Sequence, residues 1–411
     1  MVSAALEYVR TPLPVAEEAE ALNPRQVGTA SATKTTGLNP PTEPASRPTR
    51  RDPYFDNVKY LAILLVAMGH LWPLVIEGSR ATRALYMFVY TFHMPVFILI
   101  SGYLSRSYTG RPDQMRKLLT GVALPYVVFE VAYTLFARYG TNDPEKPISL
   151  LQPFYLMWFL LALFIWRLTT PLWRTLRWPL AVSLVVGALA TLTPGIGPTL
   201  EFARVLQFLP FFVLGLCMKP GHFLFLRRRG PRALAVLVFA GALPFTYWVT
   251  PNIPLNWLYR SRSVQEIGLA WWPGLIRAGA LFCCTLVLVA AFLALVPGRR
   301  YWFTVLGAGT ICGYVLHGFL IRGAQYAGLF DRYPSLSTPT GRVAVTAAML
   351  VIMTLLCTPP VRRVMKCVTE PEMKWAFRRD VAEPRPRLTH VATTSGPESA
   401  AVRAVDAPRL R

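Results

Sequence analysis

The sequence predicts an all-α fold, a polytopic integral membrane bundle of about ten transmembrane helices. Three observations predict it. Hydrophobic residues fill 53% of the 411 positions and charged residues only 16%. Apolar runs long enough to cross a bilayer recur from Val58 to Val361. Lysine and arginine collect in alternate loops between these runs, as they do on the cytoplasmic side of membrane proteins. The formal net charge of +22 is spread along such loops and not gathered on one module. No nucleic-acid-binding signature accompanies it, which excludes nucleic acid as the partner class.

Residues 1–52 are polar and Pro-containing, without a hydrophobic period, and read as a disordered cytoplasmic tail. They hold no apolar core of signal-peptide type. Arg47, Arg50 and Arg51 abut the first span and hold that end in the cytoplasm. The transmembrane domain follows over 53–366. Its spans are expected at 57–76, 84–104, 118–137, 151–167, 178–193, 202–218, 233–249, 271–296, 301–321 and 343–361. The cation-rich loops carry Arg106, Arg111, Arg116 and Lys117, then Arg167, Arg174 and Arg177, then Lys219, Arg227, Arg228, Arg229 and Arg232, then Arg299 and Arg300. The intervening loops hold Glu77, Asp143, Glu145, Glu201, Glu266 and Asp331. This alternation places both termini in the cytoplasm and the protein in the cell membrane as a multi-pass chain. The loop 250–270, with Pro251, Pro254 and Trp257, is the longest outer connection and is positioned to cover an outer cavity. Residues 367–411 are polar, basic and Pro-rich, and read as a second disordered cytoplasmic tail. The six cysteines form no CxxC pair and read as small buried hydrophobes.

The first span opens with Asp56-Asn57-Val58-Lys59 and reaches Gly69-His70. Lys59 and His70 are eleven residues apart, which at about 100° per residue returns to within roughly 20° of one direction, about 16 Å along the axis. Asp56 lies a turn before Lys59, near the same face. His93 in the second span and Glu130 in the third fall at a similar expected depth of roughly 16–18 Å. Ionisable groups inside a bilayer are costly, so two imidazoles and a carboxylate at one depth suggest a shared polar site. A buried carboxylate calls for a partner, and a histidine is the natural one for Glu130. The bland alternatives are an interhelical hydrogen bond for each histidine and a snorkelling cation for Lys59. Toward the outer side, Arg204, Arg277, His317 and Arg322, with Trp158 and Gln207, are candidates to line an acceptor pocket.

Several stretches then fall into a known order. They are the basic-x10-His pattern of Lys59 and His70, Phe92-His93-Met94-Pro95-Val96-Phe97 leading into Ser101-Gly102-Tyr103, Pro125-Tyr126 and Trp158-Phe159-Leu160. Phe208-Leu209-Pro210-Phe211-Phe212-Val213-Leu214-Gly215 follows, then Gly307, Tyr314 and Leu316-His317. Together these resemble the membrane acyltransferase family 3, and within it the fucose 4-O-acetylase-like branch, over about residues 52–361. One departure is visible. Many members carry Arg-x-x-Arg before or within the third span, whereas this chain reads Arg111-Pro112-Asp113-Gln114-Met115-Arg116-Lys117-Leu118.

The resemblance implies a ten-span bundle that moves an acyl group, usually acetyl from acetyl-CoA, onto a hydroxyl of a sugar or other acceptor. It implies no bound cofactor or metal beyond acyl-CoA as co-substrate, and it maps the family's basic residue and histidine to Lys59 and His70. Phosphates of the donor want cations at the cytoplasmic rim, for which Lys59 with Asp56, Arg111, Arg116 and Lys117 are the candidates. His70 then either deprotonates the acceptor hydroxyl or carries the acyl group transiently, with His93 or Glu130 orienting it. Trp158, Arg204, Arg277 and His317 are left for a carbohydrate or glycosylated acceptor. The alternative from another class is a transporter or flippase whose polar core is a substrate or proton path.

Overall fold

In the computed structural model the first helix, α1 (Pro53–Leu71), begins where the sequence caps it. The Asp52 carboxylate accepts a hydrogen bond from the Tyr54 amide at 2.9 Å, and Pro53 takes the first helical position. The structure describes residues 52–197, 199–371 and 373–377, so of the tails expected at 1–52 and 367–411 the parts 1–51, 372 and 378–411 lie outside the described residues. The principal helices after α1 are α2 (Arg80–Leu104), α3 (Pro112–Thr141), α4 (Trp158–Leu168), α5 (Pro179–Leu192) and α6 (Phe202–Cys217). They continue with α7 (Arg229–Val249), α8 (Trp271–Leu295), α9 (Thr310–Tyr326), α10 (Pro339–Leu356) and α11 (Pro359–Thr369). Among the described residues every regular element is helical. Ser79 caps α2 and Thr338 caps α10, each accepting from a backbone amide three residues on. Helix α3 widens into a π turn at Leu119–Ala123, just ahead of Pro125, which has no N–H to donate.

Each expected apolar run forms a helix, so the all-α bundle stands. Among the described residues six helices are long and apolar enough to cross a bilayer, or eight if two bent pairs each count as one. The bends are 98° between α6 and the short helix Pro220–Leu226, and 79° between the 3-10 turn Trp302–Ala308 and α9. Helices α4 and α5, of 11 and 14 residues, are shorter than a span. Most boundaries shift by a few residues, and three shifts bear on the site or the tail. Helix α1 starts at Pro53 and not at 57, because Asp52 and Pro53 together initiate it. The run expected over 151–167 becomes helical only at Trp158, because side chains from other helices hold 150–156 in an irregular path. Helix α11 runs through Thr369, so 367–369 belong to the helix and not to the tail.

Helix α2 sits at the centre: 78% of its most apolar stretch is buried, against 11% in α7 and α10, which form the rim. Val236 and Leu237 on α7, and Val343, Val351 and Leu355 on α10, are exposed, as residues facing lipid are. Helices α2 and α6 pack backbone to backbone. A Cβ on Gly102 would collide with the Phe212 carbonyl, and one on Gly215 with the Leu99 carbonyl. Helix α1 packs against α2, α9 and α10, which places its polar face inside the bundle.

Candidate active site

Three of the five histidines of the chain converge from α1, α2 and α9. His70 is the penultimate residue of α1, 17 residues past its start, or about 26 Å along the axis at 1.5 Å per residue. It therefore sits near the far end of its helix and not halfway along it. His93 reaches the same place from the middle of α2. Its Nε2 lies 3.4 Å from where a Cβ on Gly69 would stand, so the second imidazole packs against the residue before His70. The ring of His317, from α9, lies 5.4 Å from that of His70, and the ring of Tyr155 lies 4.8 Å from it on another side.

The hydrogen bonds of these rings differ in a way that matters chemically. His93 Nδ1 bonds the Val89 carbonyl at 2.9 Å, and His317 Nδ1 bonds the Gly313 carbonyl at 2.9 Å. A carbonyl only accepts, so Nδ1 carries the proton in both rings. In the neutral rings Nε2 is then a lone pair, and that of His317 is buried without a partner. His70 is half-buried, and its ring forms no such bond to its own helix. It is free to exchange a proton with a substrate, beside an acceptor that can hold its second N–H.

Tyr155 was not singled out by the sequence, because it belongs to an irregular segment without period. Its backbone is left-handed, at φ 56°, a conformation costing of order 1–3 kcal/mol for a non-glycine residue. Three buried side chains hold that segment. The Tyr126 hydroxyl donates to the Leu150 carbonyl at 2.6 Å, the Tyr314 hydroxyl donates to the Leu156 carbonyl, and both carboxylate oxygens of Glu130 accept from the Phe154 amide at 2.9 Å. The partner of Glu130 is thus a backbone amide and not a histidine. A local amide with no helical partner is a better donor for it than an imidazole already bonded through Nδ1. Glu130→Gln keeps an acceptor for that amide and is expected to retain turnover within a few-fold. Glu130→Ala leaves the buried N–H unpaired, at about 1–3 kcal/mol, and lowers the thermal midpoint. Turnover and thermal unfolding of the two variants check this. A folded but inactive Gln variant would assign proton transfer to Glu130.

The remaining candidates separate into groups. Lys59 and Asp56 form an ion pair at 2.5 Å inside the bundle, 1% and 7% exposed, rather than standing at an open rim. Asn57 anchors the neighbouring turn, donating to the carbonyls of Pro297 and Arg299 and accepting from the Thr304 hydroxyl. Arg111, Arg116 and Lys117 lie at the start of α3 on the surface, with Arg111 paired to Asp113 at 3.4 Å. Trp158 and Arg204 meet, the guanidinium 5.4 Å over the ring, while Arg204 also pairs with Glu201 at 3.5 Å. Arg322 lies 4.2 Å over Tyr155. Arg277 does not join His317; it covers Trp257 at 4.7 Å beside a second cavity.

A narrow apolar cavity starts one turn from the histidines. Its lining includes Val66, four residues before His70, Met94, next to His93, and Tyr314, three residues before His317. From there it runs between α1, α2, α4 and α9 to Ile63, Ser101, Thr310 and Arg167. Arg167 ends α4, its Nε donating to the Ser105 hydroxyl at 3.2 Å. The histidines thus lie about one turn from one part of a small, mostly apolar cavity whose lining also includes the cation of Arg167.

The comparisons with known proteins identify the family to which the chain belongs. Residues 52–358 match the family model described as an acyltransferase domain. The chain is 27% identical over 316 residues to the nodulation protein NolL of Sinorhizobium fredii, covering 68% of this chain and 82% of that protein. It is 31% identical over 185 residues to the nodulation protein NolL of Mesorhizobium japonicum, covering 40% of this chain and 47% of that one. No solved structure matches the chain. Since the family model spans well over half of the chain, including all three helices that carry the histidines, the chain belongs to this family of acyltransferases.

Proposed function

We propose that this acyltransferase moves an acyl group, acetyl by its resemblance to the fucose 4-O-acetylase-like branch, from acyl-CoA to a hydroxyl of a carbohydrate or glycosylated acceptor, with His70 as general base. The observation that carries the reading is the placing of His70. It stands about one turn beyond a small, mostly apolar cavity, unbonded to its own helix and beside the unpaired Nε2 of His317. The cavity suits a pantetheine arm, with the nucleotide and its phosphates outside Arg167 on the cytoplasmic face and the thioester at the histidines. The acceptor enters from the opposite side, where Arg204, Arg322, Trp158 and Tyr155 gather. The protein sits in the cell membrane with both termini in the cytoplasm, as the loop cations indicate.

The acceptor hydroxyl gives its proton to one ring nitrogen of His70 as its oxygen attacks the thioester carbonyl carbon. His317 Nε2 accepts the N–H on the other nitrogen and so fixes the tautomer in which the first is a base. The carbon–sulfur bond then breaks, and the thiolate leaves with the proton that His70 holds. The product is an ester and free CoA. The test is CoA release by the purified protein in detergent, followed with a thiol reagent, across acetyl-CoA and a panel of glycans. Release that depends on acceptor is expected, with mass spectrometry showing the acylated glycan. A transporter, the rival for an intramembrane polar site, would release no CoA with any of them.

A further inference from the structure

A second cavity, of about 270 Å³, lies between α5, α6, α8 and the connection 256–269. Its lining contains Arg260, Arg262 and Arg277 and no aspartate or glutamate. Arg260 is the innermost in character. It is half-buried, its guanidinium resting 5.3 and 5.4 Å over the rings of Phe208 and Phe211 and 3.5 Å from the Thr285 hydroxyl. Its backbone is left-handed, at φ 51°, a conformation that costs free energy at a non-glycine residue and that holds the side chain inward. Arg262 and Arg277 stand at the exposed mouth, Arg277 over Trp257.

Among the described residues none of the three arginines forms an ion pair. The carboxylate nearest in sequence, Glu266, is committed elsewhere. It accepts from the amides of Gly195 at 3.0 Å and Ser263 at 2.7 Å and from the Ser263 hydroxyl at 3.1 Å. Those amide donors, with the Ser263 hydroxyl and the charge of Arg262, hold it below the usual carboxylate range, so it stays an anion outside the cavity lining and partly balances Arg262. Arg260 and Arg277 are left in a cavity whose lining holds no anion, and guanidinium is the group of choice for phosphate. The rest of the wall is mostly apolar, with Leu184, Ile267, Leu281 and Phe282, apart from Thr191, Gln207 and Asn256. Leu184 is also exposed on the outside of the bundle, among the residues that face lipid.

The cavity is one aromatic layer away from the histidine site. Phe208, beneath Arg260, stacks on Trp158 at 5.7 Å, and Arg204 covers Trp158. We infer that this cavity binds a phosphate group carried on an apolar chain, an inference that rests on the acyl-transfer reading above only in making that amphiphile the acceptor. The phosphate pairs with Arg260 and Arg277, the chain lies along the apolar wall toward lipid, and the hydroxyl-bearing part passes Phe208 and Trp158 toward His70.

The test is binding, which needs no turnover. The full-length protein in neutral detergent is titrated with farnesyl phosphate, farnesol and inorganic phosphate, and bound ligand is counted by native mass spectrometry. One farnesyl phosphate per chain is expected, with farnesol and inorganic phosphate at least ten-fold weaker. Arg260→Gln and Arg277→Gln should each weaken farnesyl phosphate about ten-fold or more. Arg260→Lys, which keeps the charge, should recover most of the loss, separating charge from folding, and Arg332→Gln, on a distant exposed turn, should change nothing. Equal binding of farnesol, or farnesyl phosphate binding indifferent to both Gln variants, overturns the site. Equal, arginine-dependent binding of inorganic phosphate overturns the amphiphile and leaves a free-anion site. Arginine-dependent farnesyl phosphate binding by a protein that cleaves no acyl-CoA would sink the acyl-transfer reading while leaving this one standing.

Discussion

His70→Ala is expected to lower kcat for acyl transfer by about 10²–10⁴-fold while the protein still folds and inserts. The two halves of that expectation come from separate observations. The ring of His70 touches Tyr155 and His317 through its faces and edges and anchors no hydrogen bond that the helices depend on. Its loss leaves a partly open polar site and no buried orphan in α1. Its neighbours are different, since His93 and His317 each tie Nδ1 to the carbonyl four residues back. His317→Gln should therefore lower kcat by less, because it removes the group that orients the base and not the base. Steady-state kinetics with saturating acyl-CoA, beside thermal unfolding of each variant, measure both effects. Turnover like that of the natural protein in a folded His70→Ala variant would end the assignment of His70 as base, and a larger loss in His317→Gln would exchange the two roles.

The sequence makes the bundle legible because membrane helices advertise themselves by length and apolarity. It also makes His70 legible, because an imidazole in an apolar run has few bland explanations. Helix rise places His70 and His93 on comparable levels, and the fold packs His93 against the residue before His70. Depth counted from an assumed start at residue 57 misplaces His70, since the helix begins earlier at an Asp-Pro cap that hydropathy does not weigh. The strap from Leu150 to Leu156 is invisible in the sequence for a plain reason. Its path is set by Tyr126, Glu130 and Tyr314 from two other helices, and no local period or propensity records such bonds. Glu130 itself was visible as a buried carboxylate, but its partner was a backbone amide 24 residues away, which composition cannot name. The same holds for Arg277. Its type suggests an anion and its position an outer pocket, yet only the fold shows that it shares a cavity with Arg260 and Arg262 and not with His317.

Lys59→Ala is expected to cost roughly 3–5 kcal/mol of stability, more than loss of a surface cation ever does. The ammonium and the Asp56 carboxylate lie 2.5 Å apart with almost no exposure, so removing the ammonium leaves the carboxylate buried without its counter-charge. A loss of activity in that variant alone would say nothing about acyl-CoA. The informative protein is Asp56→Leu with Lys59→Met, in which both charges go and an apolar pair of similar volume takes their place, an exchange often neutral or stabilising. Lys59 lies one turn before Ile63, which lines the cavity near the histidines, and Asp56 packs against Gly307, three residues before Thr310, which also lines it. The pair therefore flanks the end of that cavity away from the histidines, where the donor's phosphates are placed. The double variant should regain the folded yield and thermal midpoint that Lys59→Ala loses. Its KM for acyl-CoA should nevertheless stay about ten- to a hundred-fold raised, the worth of one charge-assisted contact of roughly 1.5–3 kcal/mol, with a smaller change in kcat. A folded double variant with an unchanged KM would make the ion pair structural alone and leave the phosphates to Arg167 and the cations of α3. One that binds normally but has lost only kcat would move Lys59 from the phosphate end to the reacting group and reverse the direction of the donor in that cavity.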